Sequence, residues 1–180
     1  MNIHPLFVHF PVALLSLYAI MELIRFHKLT AKEYWFYTKA ILLFTGTVFS
    51  YAALYTGSLA DDLAHVGVSS ADRNSGAFQL INAHSNWAVV TAVIFSLISV
   101  VYLIEWIRRS NVLQQKFASF GGWQALLKLN AFLLSTWIII PVALAGLIAI
   151  TITGALGGAI TYGPDADPVV HLIYHWFFKA

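Results

Sequence analysis

Long apolar stretches alternate with short polar intervals along this chain. The first uncharged stretch runs through Leu14, Leu15, Leu17 and Ile20 and ends at Glu22. A second lies between Lys39 and Asp61, a third between Arg73 and Glu105, and a fourth between Lys128 and Asp165. Each holds the roughly 20 apolar residues that a membrane-crossing helix needs. The pattern predicts helices near 5–25, 35–58, 80–107 and 126–153, with ends good to about two to four residues. Beyond them, Gly154, Gly157 and Gly158 are expected to loosen the end of the fourth helix, and Pro164 and Pro168 punctuate the tail. Val169 to Phe178 is apolar but too short to span, so the tail 168–178 is predicted to lie as a short helix in the membrane interface. Tyr174 and Trp176 would sit there at headgroup depth. The expected fold is all-α: one integral membrane four-helix bundle over residues 1–180 with a short interfacial C-terminal helix.

Composition agrees with that pattern. Hydrophobic residues make up 59% of the chain and charged ones 10%, with a mean hydropathy of +0.76. Soluble domains carry about 25% charged residues, so lipid is required to solvate this surface. The first apolar stretch has no basic segment ahead of it and reads as a span, not a cleaved leader. There are no cysteines, which excludes disulfides, thiolate metal sites, iron–sulfur ligation and haem attached through the chain's own thiols.

Charge then orients the spans. Arg25, Lys28, Lys32 and Lys39 border the first connection, and Arg108, Arg109, Lys116 and Lys128 the third. Together these are eight of the ten basic residues. The positive-inside rule makes those connections cytoplasmic, leaving both termini and the 58–79 connection outside. No carboxylate is expected within the spans. Helix 2 carries a seam of small residues, Gly46, Ser50, Ala53 and Gly57, that lets a neighbouring helix or a flat cofactor approach closely. No internal repeat is evident from residue identity.

The same topology sorts the histidines. His4, His9, His65, His84, His171 and His175 fall on the outer side and only His27 on the inner, six of seven. Ionisable residues at membrane depth are costly and mark function by default. His9 and His84 each lie about four residues into their predicted helices, roughly 6 Å below the helix start. Two imidazoles at matching depth suit axial ligation of a b-type haem, which is noncovalent and needs no cysteine. Zinc and copper are also imidazole-ligated metals, so spacing alone leaves the cofactor open, as it leaves open simple hydrogen bonding between helices. His4 lies five residues from His9, about 140° around a helix, although Pro11 could change that angle. His171 and His175, four apart, share one helical face and form a further candidate metal pair.

The opening His4-Pro5-Leu6-Phe7-Val8-His9-Phe10-Pro11, continued by Val12-Ala13-Leu14-Leu15, resembles the signature of a bacterial membrane family known as domain of unknown function 2231. His84 near the start of the third helix is similar to that family, as is the glycine pair of Gly157-Gly158-Ala159-Ile160-Thr161-Tyr162-Gly163. The resemblance implies a small four-helix protein of the bacterial inner membrane. Members fused to Rieske-type or cytochrome modules imply electron transfer, with His4, His9 and His84 as the positions carried over. The chain departs from the family after Tyr162, where Gly163 and Pro164 replace a customary histidine; His171 or His175 are candidates to stand in for it.

The leading expectation is therefore an electron-transfer subunit with one or two haem b groups near the outer face. His9 and His84 would be axial ligands, with His4, His171 and His175 serving a second haem or its propionates. Phe10, Trp87 and Tyr162 would shield the ring. Such a subunit would belong to a larger respiratory complex and exchange electrons with quinol or an outer-side cytochrome, more as an accessory than as a catalytic chain. The alternatives are a copper- or zinc-binding protein using the same cluster, and a structural subunit without cofactor. No Ser/His/Asp arrangement, HExxH or P-loop appears, and the basic residues read as orientation signals beside lipid, so nucleic-acid binding is not expected.

Overall fold

The computed structural model describes residues 3–24, 26–65 and 76–178. Arg25 and Arg73, used above to place charge, lie outside the described residues. All regular elements among those described are helices: α1 (His4–Leu23), α2 (His27–Thr30), α3 (Glu33–His65), α4 (Gly76–Arg109), α5 (Asn111–Phe117), α6 (Trp123–Leu133), α7 (Thr136–Tyr162) and α8 (Pro168–Phe177). Helices α1, α3, α4 and α7 are long and apolar enough to cross a membrane. At most 39% of the most apolar window of each is buried inside the protein, so most of their apolar surface faces outward, as in a membrane-embedded bundle. Trp137 is 90% exposed and Tyr162 80%. They stand at the two ends of α7, about 37 Å apart at helical rise, which is the separation of two aromatic belts.

The fourth span differs from expectation. It begins at Thr136 and runs through the glycines to Tyr162, and α6 before it is a separate helix. Lys128 marked the edge of a charge-free window, but the helix starts where Ser135 leaves helical geometry with φ −59° and ψ 145°. The Ser135 carbonyl accepts from the amides of Ile138 and Ile139, the position where serine is favoured at a helix start. Gly154, Gly157 and Gly158 stay helical. The tail forms α8, close to the predicted bounds; Asp167 caps it by accepting from the amides of Val169 and Val170 at 2.8 and 3.0 Å.

Two antiparallel hairpins build the bundle. α1 packs along α3, and α4 along α7; α3 then contacts α4, and α7 contacts α1. This leaves α1 diagonal to α4, and α3 diagonal to α7. The hairpins repeat one another in detail. A Cβ added at Gly46 would lie 2.6 Å from Leu15 Cδ2, and one at Gly146 would lie 2.8 Å from Phe95 Cζ. One at Gly57 would lie 3.1 Å from His4 Cε1, and one at Gly157 would lie 3.1 Å from His84 Cε1. His4 and Leu15 thus correspond to His84 and Phe95, 80 positions on, while Gly46 and Gly57 correspond to Gly146 and Gly157, 100 positions on. Burial keeps the same register: Pro11, Leu15, Tyr18 and Glu22 on α1 match Thr91, Phe95, Ile98 and Tyr102 on α4. The pairs in each helix are eleven residues apart, three turns, and so lie on one face. The expectation of no internal repeat fails here, because the repeat lies in contact positions and hardly at all in residue identity.

The bundle has a histidine end and a basic end. At the basic end Glu22 is 2% exposed and receives Lys39 Nζ at 2.7 Å. The Tyr102 hydroxyl donates to the same carboxylate oxygen, and the Lys39 ammonium lies 5.6 Å from the Tyr102 ring centroid. Glu105 is also buried and binds Arg108 and Arg109. Carboxylates therefore do lie within the spans, each neutralised by a partner, as burial demands.

A pair of histidines at one end of the bundle

α1 opens with His4, and Pro5 follows in its first turn, where a missing amide hydrogen costs nothing. His84 sits two turns into α4. Because these helices are diagonal, both side chains enter the interior from opposite sides. Their ring centroids are 6.4 Å apart and their planes cross at 78°.

Each ring is held by its Nδ1. His4 Nδ1 lies 3.1 Å from Thr56 Oγ1. That hydroxyl also lies 3.0 and 3.1 Å from the carbonyls of Ala52 and Ala53, which tie it to its own helix. His84 Nδ1 lies 2.9 Å from the Thr153 carbonyl, which can only accept. His84 therefore carries its proton on Nδ1, and the lone pair of its neutral ring sits on Nε2. This is the tautomer a metal ligand needs, with the hydrogen-bond partner fixing orientation and raising basicity. Gly57 and Gly157 supply the room: any larger residue at either position would press on the imidazole beside it.

The separation fits a shared electrophile. Two imidazoles on opposite sides of one metal, with bonds of about 2.0–2.1 Å, have centroids about 6–6.5 Å apart. No family model, curated protein or solved structure matches this chain. The site is read from its own geometry.

The structure brings together His4 and His84, not His9 and His84. His9 lies on the exposed face of α1, since the five-residue step from His4 rotates it away. Pro11 leaves the helix unbroken, so the angle is not altered. His171 and His175 share one face of α8 as expected, with ring centroids 4.3 Å apart, but they meet Asp165 and not the buried pair. Among the proposed shielding aromatics, Tyr162 is exposed and Phe10 is half-exposed and stacks on Phe49. Trp87 packs beside Phe177 in the apolar cluster that seats α8.

Sequence reasoning missed Thr56 and the Thr153 carbonyl; it named Gly57 and Gly157 but not that each lies against a histidine. A signal was present: each histidine is followed eleven residues later by a large apolar residue, and α3 and α7 each carry two glycines eleven apart. Beside the site, α1, α7 and α8 enclose a groove of about 340 Å³ lined by Val12, Ser16, Gly154, Gly158 and Val170 among others.

Proposed function

We propose that this chain is a multi-pass membrane electron-transfer subunit, b-type cytochrome-like, in which His4 and His84 would hold one haem through their imidazole nitrogens. The observation that carries the reading is the pair itself. Two imidazoles from diagonal helices meet edge-on with centroids 6.4 Å apart, each with its Nδ1 in a hydrogen bond. A haem held there supplies a one-electron couple. The protein's part is to hold both rings by their Nδ1 atoms, admit them through glycine notches and keep water out with apolar helices. Two imidazoles would suffice to hold a haem, whereas a closed zinc site takes four protein ligands.

Following the charge pattern, the histidine end faces the outer side of a bacterial inner membrane, and both termini lie there. Quinol fits as electron donor because the groove between α1, α7 and α8 is apolar and separated from His84 by one helix. The similarity of the opening motif to the domain of unknown function 2231 family fits this reading without being required by it. The subunit would work within a larger respiratory assembly.

A reduced-minus-oxidised optical spectrum of the purified protein tests the proposal. Soret and alpha bands are expected in the wild type and in His9→Ala, and their loss in His4→Ala and in His84→Ala. A spectrum that persists in both of these variants, or a wild-type protein that binds no haem, would overturn it. Stoichiometric copper or zinc lost in the same two variants would assign the pair to a bare metal ion instead.

A further inference from the structure

α8 presents a second constellation, independent of the buried pair. Gly163 ends α7 with φ 93°, a left-handed conformation that glycine adopts without strain. The chain turns there and brings Asp165 back over α8. Asp167 and Pro168 fix the start of α8, and Val170 and Ile173 bury its inner face against Leu80, Ile152, Leu156 and Ala159. The opposite face carries His171 and His175 one turn apart. Asp165 Oδ1 lies 2.7 Å from His171 Nδ1 and 3.8 Å from His175 Nε2. One ligating atom from each of the three residues lies within 4.8 Å of the others.

We propose that Asp165, His171 and His175 bind a divalent transition-metal ion, Zn²⁺ by preference, at the surface of the histidine end. Two imidazoles and a carboxylate are an established zinc donor set, and three protein ligands leave a position for water. Tetrahedral sites with bonds of about 2.0–2.1 Å place their donors about 3.3–3.4 Å apart. The observed separations bracket that value. All three side chains are at least 41% exposed, so they can adjust by the fraction of an ångström required while the buried face holds the helix still. Packing thus prepays the ordering that a flexible loop would have to undergo.

A metal must displace protons from its imidazole ligands, so binding is expected to weaken in acid. The experiment is titration of the full, tag-free chain in detergent with Zn²⁺ by calorimetry, with Co²⁺ absorption as a spectroscopic reporter. One ion per chain is expected, bound at least tenfold more weakly in each of His171→Ala, His175→Ala and Asp165→Asn, and unchanged in a His4→Ala/His84→Ala double variant. These substitutions on the exposed side leave the buried face of α8 intact. Equal affinity in Asp165→Asn and wild type, or loss of the ion in the His4/His84 variant, would overturn the proposal. Failure of the haem reading would leave this outcome unaffected.

Discussion

Hydrogen bonds at Nδ1 hold both half-buried imidazoles, so Thr56 is an informative residue to change. Thr56→Val keeps the shape but removes the hydroxyl that His4 Nδ1 meets. Loss of such a partner typically weakens ligation 10–100-fold; a correspondingly raised haem dissociation constant, with the fold retained, is the expected readout. At the other end of the bundle, Lys39→Met would take the ammonium away from the Glu22 carboxylate, which is 2% exposed. Removing one partner of a buried pair costs about 3–5 kcal/mol, measurable as a lowered unfolding midpoint in detergent. Adding Glu22→Gln should restore part of it, because the buried carboxylate charge that lost its ammonium is then gone as well. At the surface, the hydrogen bond from His171 holds the Asp165 carboxyl below its ordinary pKa. A group depressed in the folded state contributes stability above its ordinary pKa and loses it as pH falls through the depressed value. His171→Ala should therefore raise the Asp165 midpoint in a carboxylate-resolved NMR titration. Of these residues, the histidines were legible in sequence because imidazole is rare at membrane depth. Thr56, Glu22 and Lys39 were not, because their roles depend on which helix each one faces.

Glycines set the spacing of the long helices. Gly46 and Gly146 receive Leu15 and Phe95 closer than any Cβ would allow, so alanine there forces the hairpins apart. Overpacking of this kind costs about 1–3 kcal/mol. The penalty should be larger at Gly146, where the clashing neighbour is an aromatic ring with few ways to yield. Gly57→Ala and Gly157→Ala press instead on the histidines, so on the haem proposal their main effect should appear in the optical spectrum and potential, with thermal stability changed less. Comparing the unfolding midpoints and spectra of the four variants checks this division of labour. Element boundaries were legible for α1, α3 and α4, where charge and helix ends nearly coincide. They were misread for α7, since the apolar residues of α6 carried the hydrophobic window across the break at Ser135. The seam on α3 was visible as small residues, but nothing in one strand of sequence says that a histidine and a leucine occupy its two ends.

At the level of the whole molecule, the bundle is two copies of one hairpin arranged so that equivalent helices lie diagonally. Symmetry of that kind gives His4 and His84 equivalent surroundings, and a ligand between them lies where the two halves meet. Parallel repeats about an axis along the membrane normal are a known way to create a central site. Here the register of contacts, 80 positions between α1 and α4 and 100 between α3 and α7, accommodates the inserted α5 and α6 at the basic end without disturbing the histidine end. The four-span architecture followed from hydropathy, whereas the twofold relation required contacts, because only glycine and histidine are shared between the halves at those positions. The absence of cysteine makes orientation directly testable. Single cysteines at Ala166, beside α8, and at Ser119, between α5 and α6, lie at opposite ends of the bundle and are both exposed. In intact cells an impermeant maleimide should label Ala166→Cys and leave Ser119→Cys untouched until the membrane is opened. The reverse pattern would put the histidines on the cytoplasmic side, and with them any haem, zinc ion and redox partner they serve.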